Sequence, residues 1–421
     1  MTRLLYSFVI YLATPLILLR LLWRARKQPE YLRHLGERWG FYRRPVPERL
    51  IWVHAVSVGE TRAAQPLIEA LQCAWPEHHI LLTCMTPTGR AAGREVYGDR
   101  VIQAYLPYDY PDADERFYRH FSPAFGVLME TELWPNLLAA ATRNGVPIIL
   151  ANARLSERSA HGYGKIAALV APAFAALAGV AAQTPGDARR LSELGAFNVS
   201  VCGNLKFDVS PAPKKIALGH AWRQALGERP VWLAASTREG EEALVLAAWR
   251  NVAASGALPV PLLVIVPRHP QRFPEVAALL AQNGVALVRR SVGLPDSATP
   301  VWLGDSMGEM AAYYTLADVA FIGGSLLPLG GQNLIEAAAC GCPAIVGPHT
   351  FNFLQATEDA IAAGAARRVD DDAGLAAAIS HALGNAGELA EMRTAALRFA
   401  AAHRGATERT VAVIRAAIAA G

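Results

Sequence analysis

Glu60 stands where an apolar run, Ile51-Trp-Val-His-Ala-Val-Ser57-Val-Gly59, gives way to a helical pattern. A carboxylate at such a strand–turn–helix junction has two uses. It can start the helix, because the free amides of a first turn favour negative charge. It can also face a ligand, because ligands of doubly wound α/β domains sit beyond the carboxyl ends of the strands. Gly59 would let the chain turn tightly there. Position alone does not separate the two readings. Leu128-Met-Glu130-Thr-Glu132-Leu-Trp134-Pro-Asn136 sets two acids and an aromatic ring at another strand end, and Gly203-Asn-Leu-Lys206-Phe-Asp208 adds an ammonium group.

The second half of the chain carries a different set. Phe321-Ile-Gly-Gly-Ser325 runs through Gly331-Gln-Asn333-Leu334-Ile335-Glu336 to Gly341-Cys-Pro343, a strand followed by a Gly-rich loop and a helix. The glycines allow close backbone approach, the helix start offers N–H groups to a phosphate, and Glu336 can accept from both hydroxyls of a ribose. The plainer alternative is a turn followed by an exposed helix acid. Val266-Pro-Arg268-His269-Pro270 ends a strand with a guanidinium suited to phosphate. The Met307-Gly308-Glu309 turn after Leu303 offers backbone to a base edge, and Ala235-Ser-Thr-Arg238-Glu-Gly-Glu241 is a fourth such turn. Each alone fits ordinary helix capping; four opening toward one cleft favour a nucleotide pocket.

No metal site is expected. Asp112-Ala-Asp114 imitates the DxD of metal-dependent sugar transfer, but it opens a helical pattern and reads better as helix-start acids. The five cysteines form no CxxC pair and read as reduced thiols without a disulfide framework. HExxH, Walker and G-x-S-x-G patterns are missing.

Two doubly wound α/β lobes must position these groups. Apolar runs alternate with helical patterns. Strands are predicted at Ile51–Val56, His79–Thr83, Val101–Leu106, Ala124–Met129, Pro147–Ala151, Gly179–Gln183 and Val199–Gly203. After a Pro-containing break at Ser210-Pro-Ala-Pro they resume at Val231–Ala235, Leu262–Val266, Val285–Val288, Val319–Ile322 and Ala344–Val346. The tail from about Ala373 to Ala420 reads as helical. The expected domains are 1–27, 28–209 and 210–421.

With 421 residues, two domains are natural. Leu4 to Trp23 is an apolar run interrupted by Ser7, Thr14, Pro15 and Arg20. As one helix it would be roughly 30 Å long, about one hydrocarbon thickness, and it is expected to be a retained membrane anchor. Pro15 and Arg20 leave an interfacial helix open. Lys or Arg occurs eight times from Arg20 to Arg44 (20, 24, 26, 27, 33, 38, 43, 44) against Glu30 and Glu37. That excess places the collar, and the domains after it, on the cytoplasmic side of a membrane. The collar serves either attraction to anionic lipid heads or grip on a phosphorylated lipid. A net charge of +4 argues against nucleic acid.

Trp52-Val-His-Ala-Val-Ser-Val-Gly-Glu60, Met129-Glu-Thr-Glu-Leu-Trp-Pro135, Gly203-Asn-Leu-Lys-Phe-Asp208, Pro267-Arg-His-Pro270 and Gly323-Gly-Ser through Asn333-Leu-Ile-Glu336 together resemble the 3-deoxy-D-manno-octulosonic acid (Kdo) transferases. The resemblance implies a GT-B glycosyltransferase that moves Kdo from CMP-Kdo to the lipid A precursor at the bacterial inner membrane. It implies inversion, with no metal and no cofactor. Glu60 would be the general base, with Glu130 and Lys206 supporting the transition state. Arg268, His269, Met307, Gly308, Glu309, Asn333, Leu334, Ile335 and Glu336 would form the CMP pocket. Two rivals are a sugar-nucleotide epimerase of the same two-lobed fold, which the anchor and collar count against, and a non-catalytic membrane scaffold.

Overall fold

The computed structural model describes residues 1–43, 45–256 and 260–419, with residue 27 described by its backbone alone. Arg44 and the Lys27 side chain of the collar, and Ala420 of the tail, lie outside the described residues. The chain forms two compact units, residues 1–209 with 404–421, and residues 210–403.

In the first unit seven parallel strands, β1 (Leu50–His54), β2 (His79–Cys84), β3 (Val101–Tyr105), β4 (Phe125–Met129), β5 (Ile148–Ala153), β6 (Gly179–Ala182) and β7 (Val199–Val201), lie in the order β3-β2-β1-β4-β5-β6-β7. Helices cover both faces, so β1 is buried at every residue and reads as an unbroken apolar run rather than an alternating one. Leu50 and Trp52 join the core on one face, Ile51 and Val53 the core on the other. The Trp52 indole dictates its neighbour on β4. A Cβ at Gly126 would come within 2.5 Å of the ring, so only glycine fits. The strand order reverses between β1 and β4, where the loops that follow them part and leave a crevice. Glu60 follows β1 and Glu130 follows β4.

The second unit repeats the plan with β8 (Val231–Thr237), β9 (Leu262–Pro267), β10 (Leu287–Arg289), β11 (Val301–Leu303), β12 (Val319–Ile322), β13 (Ala344–Val346) and β14 (Ala366–Arg368) in the order β10-β11-β9-β8-β12-β13-β14. Its reversal lies between β8 and β12. There a Cβ on Gly323 would meet the Ser236 carbonyl oxygen at 2.6 Å, so the glycine lets the two strand ends close up. The strand expected at Val285–Val288 is found at Leu287–Arg289, and β11 and β14 fall outside the predicted runs. Each spans three residues, too few for periodicity to register; pairing with a neighbour makes them strands.

Two expectations need correction. The tail is helical (Asp372–Gly384, Ala386–Ala402, Ala406–Ala419), but its last helix belongs to the first unit rather than to 210–421. Ala406 and Ile414 are buried with Ile51, Val53 and Leu67. The Asp208 carboxylate fixes the start of that helix by accepting from the Gly405 and Thr407 amides at 2.7 and 2.6 Å.

The N-terminal run is not one helix. Arg3–Leu12 and Thr14–Lys27 meet at a 53° bend, and Pro15, without an N–H, cannot continue the first helix's hydrogen-bond ladder. Among the described residues no single helix is long and apolar enough to cross a membrane; the bent pair reaches that threshold by length and composition only. The helix pair rests on its unit by a polar seam. Tyr6 Oη donates to Asp109 at 2.8 Å, Ser7 Oγ to Asn136 at 2.9 Å, Thr14 meets Tyr110 at 2.8 Å, and Tyr11 bonds Asp112. Leu4, Phe8 and Leu12 point outward, as do Leu16, Leu19 and Trp23 of the second helix. Of the collar, Arg20, Arg26, Arg33 and Arg43 are exposed and Arg24 is half-buried. Arg38 is not a collar residue. It is buried, its guanidinium 4.1 Å from the Tyr105 ring centroid and donating to the Met85 carbonyl at 3.1 Å.

Candidate active site

Ser57 ends the extended segment after β1 and caps the helix Val58–Ala63, accepting from the Glu60 amide at 3.3 Å. Glu60 returns the favour in a capping-box fashion. Its carboxylate accepts from Ser57 Oγ at 2.8 Å and from the Val56 amide at 2.9 Å. The helix-start role is therefore real, and it does not exhaust the residue. Burial, with the charges of Glu130 and Glu132, pushes the carboxyl up to about 7 against the pull of the Ser57 and Val56 bonds. A group so placed exchanges its proton near neutral pH and is a stronger base than an ordinary carboxylate.

Glu130 leaves β4 with φ +59, a left-handed conformation that non-glycine residues seldom adopt. Its amide donates to the Ala151 carbonyl at 2.9 Å, and its Oε1 accepts from Lys206 Nζ at 3.0 Å. Both side chains are largely buried, at 15% and 19% exposure, so the pair is partly shielded from water. Lys206 sits on the short turn Leu205–Phe207, which Asn152, itself at φ +54, fixes by accepting from the Leu205 amide at 3.0 Å. Two residues on, Glu132 accepts from Trp134 Nε1 at 2.8 Å, and burial raises its carboxyl above the usual range. The structure thus gathers Glu60, Glu130 and Lys206 at the β1/β4 reversal of one sheet.

The second unit gathers cations instead. Arg268 follows β9; its amide donates to Thr237 O at 2.9 Å and its Nε to Gln332 Oε1 at 3.2 Å. Burial and the guanidinium charges of Arg268, Arg238 and Arg272 hold His269 below its ordinary value. Three arginines acting on one imidazole make a field suited to a phosphate. Glu241, fully buried at a helix start, accepts from the Arg238, Gly324, Ser325 and Leu326 amides at 2.5–3.1 Å and so binds the Gly-rich loop to the end of β8.

The remaining predicted residues fall on the same edge with differing freedom. Met307 is exposed, Gly308 has φ +74, and Glu309 pairs with Arg290 at 3.2 Å, so the backbone of that turn is what it can offer a ligand. The helix after the Gly-rich loop, Ile335–Ala339, is only five residues long, and Asn333 Oδ1 accepts from the Ile335 amide at 3.1 Å. The free amides expected there for a phosphate are thus partly used within the protein. Leu334 and Ile335 are buried, and Glu336 stands half-buried in the first turn.

Asp112 pairs with Arg116 at 2.7 Å, and Asp114 is buried in the first unit with its carboxyl pushed well up by burial and by Asp109. Among the described residues no group of three or more His, Cys, Asp or Glu is arranged to hold a metal ion.

The family described as 3-Deoxy-D-manno-octulosonic-acid transferase (kdotransferase) matches residues 33–209. Across 86% of the chain and 86% of the relative, 50% of residues are identical to a 3-deoxy-D-manno-octulosonic acid transferase of Bordetella pertussis. This chain belongs to the Kdo transferase family. A Haemophilus influenzae member is 41% identical over 84% of each chain. Membership makes the protein a glycosyltransferase and sets aside the epimerase and scaffold readings. A glycosyltransferase from Rickettsia africae ESF-5 shares the fold, with a TM-score of 0.61, 12% identity, and 90% and 99% of the two chains covered. The two parallel-sheet units are accordingly of the GT-B kind.

Within this transferase, sequence reasoning missed Glu241 and Asn152 as site-building residues. In the sequence Glu241 reads only as part of a turn. Their clamping roles carry no local signal, because three of the four amides Glu241 binds and the Leu205 amide that Asn152 binds come from loops 53–85 residues away.

Proposed function

We propose that this Kdo transferase moves Kdo from CMP-Kdo to a phosphorylated lipid A precursor (lipid IVA) with inversion, and that Glu60 is the general base. The Glu60 carboxyl, raised to about 7 beside the Glu130–Lys206 pair, carries this reading. Inversion needs one base to take the proton of the attacking sugar hydroxyl while CMP leaves from the opposite face. Lys206 offsets negative charge on the Kdo carboxylate or the departing phosphate, and Glu130 holds that ammonium in place. In the second unit Arg268 and His269 serve the single phosphate of CMP, supported by Arg238 and Arg272, while the Met307–Glu309 turn and Asn333–Glu336 serve the base and the ribose. One phosphate is within the reach of such cations without a metal or other cofactor.

The N-terminal helix pair is assigned to the membrane. Its outward leucines and Phe8, with the exposed arginines after them, suit an interfacial attachment to an anionic bilayer. This reading puts the enzyme on the cytoplasmic side of the inner membrane, where the lipid acceptor is at hand.

The test incubates purified enzyme with CMP-Kdo and a tetra-acylated lipid A precursor and follows the lipid by mass spectrometry. A product heavier by one or more Kdo residues is expected from wild type and a near-absent one from Glu60→Gln. An unmodified lipid with wild type, or full activity of the variant, overturns the proposal.

A further inference from the structure

We propose that Glu242 is a positioning residue of the nucleotide pocket: it holds the Arg272 guanidinium beside His269 and leaves Arg272 Nη1 to donate to the phosphate of CMP. The inference rests on the CMP pocket proposed above and names what builds its charge. Two acids open the helix Glu241–Ala254 after β8, and they serve different neighbours. Glu241 binds the Gly-rich loop. Glu242 is 1% exposed and divides its oxygens. Oε1 accepts from Thr237 Oγ1, at the end of β8, at 2.9 Å, and Oε2 accepts from Arg272 Nη2 at 3.1 Å. The hydroxyl bond steadies the carboxylate, so the end of β8 helps set where the guanidinium sits.

The backbone also keeps Arg272 close to His269. Arg272 ends the short turn Pro270–Arg272, and its amide donates to the His269 carbonyl at 3.0 Å. Its charge joins those of Arg268 and Arg238 in lowering the imidazole. Three guanidinium groups that act on one ring also repel one another, so such a cluster needs a counter-charge. Glu275 lies 3.3 Å from Arg272 Nε but is 66% exposed, where an ion pair contributes little. Glu242 is the buried partner. The guanidinium then has Nη2 spent on Glu242, and Nη1 buried without a partner among the described residues. A buried donor is costly to leave unbonded, and a phosphate oxygen is the acceptor that this cation cluster would draw in.

Isothermal titration of the full-length enzyme with CMP and with cytidine tests this, because cytidine lacks only the phosphate. Glu242→Gln, with unchanged near-ultraviolet circular dichroism, should weaken CMP at least about fivefold and leave cytidine within about twofold of wild type. Arg272→Met should do the same, and the double variant should bind CMP no more weakly than Arg272→Met, since Glu242 acts through the arginine. A role confined to the stability of the unit would touch both ligands alike or neither. Undiminished CMP binding in Glu242→Gln, equal losses for the two ligands, or losses that add in the double variant overturns the inference. Should Glu242→Gln fail to fold, Thr237→Val removes the hydroxyl that steadies the carboxylate and should weaken CMP about two- to threefold with cytidine unchanged. No selective loss there again overturns it. Wild-type enzyme that binds no CMP overturns the proposed pocket and this inference with it, whereas CMP binding with unselective variants overturns this inference alone.

Discussion

A glutamate in water is too weak a base to help a sugar hydroxyl at neutral pH, and Glu60 gains basicity from where it sits. Burial and two acidic neighbours raise it to about 7, so it holds its proton below that pH and can act only above it. Catalytic efficiency should climb with pH through about 7 and then level off, whereas Glu60→Gln should lower kcat by about 10²–10⁴-fold and abolish that limb. Rate profiles against pH for both proteins check this. Glu130 and Lys206 act as one unit, since removing either leaves the other charge poorly paired in a half-dry site. Glu130→Gln and Lys206→Met should each impair turnover strongly, and the double variant should be better than the product of the two by a coupling of about 1 kcal/mol or more. A double-mutant cycle on kcat measures it; additive losses would separate the two roles.

Two carboxylates tie together elements that the chain keeps far apart. Glu241 satisfies four backbone amides, three from the Gly-rich loop. Glu241→Ala leaves those buried donors unmet and should destabilise the second unit by roughly 3 kcal/mol or more, with a higher KM for CMP-Kdo because the loop is no longer fixed. Asp208 does comparable work for the last helix by binding its first amides. Asp208→Ala should cost the first unit about 1–3 kcal/mol with little effect on the second. Urea unfolding followed by hydrogen exchange, read unit by unit, distinguishes the two variants.

At the scale of the whole molecule the proposed membrane attachment belongs to the N-terminal helix pair. The first helix bonds its own unit through Tyr6, Ser7 and Tyr11 and turns Leu4, Phe8 and Leu12 outward. Each large apolar side chain withdrawn from water contributes about 1.5–3 kcal/mol at full burial. Replacing Leu4, Phe8 and Leu12 by Ser should therefore weaken sedimentation with phosphatidylglycerol-containing vesicles at least about tenfold, even if burial at the interface is partial. Transfer to a detergent-dispersed acceptor should persist, because none of the three lies in the catalytic groups. Unchanged sedimentation would overturn the proposed attachment through this helix.

The strand-forming runs, the Gly-rich loop, the acids at strand ends and the pause at Ser210 are written locally, in periodicity and in turn chemistry, so the sequence alone determined two doubly wound parallel units and most candidate groups. It also carried the helix-start duty of Glu60, because a capping box lies within four consecutive residues. Everything that depended on a distant partner waited for the tertiary structure. The burial of Arg38 against Tyr105, the return of Ala406–Ala419 to the first sheet, and the clamps of Glu241 and Asn152 each rest on contacts between remote segments. So does the rise of Glu60 to about 7, since desolvation is a property of what packs around a carboxylate and not of its neighbours in the chain.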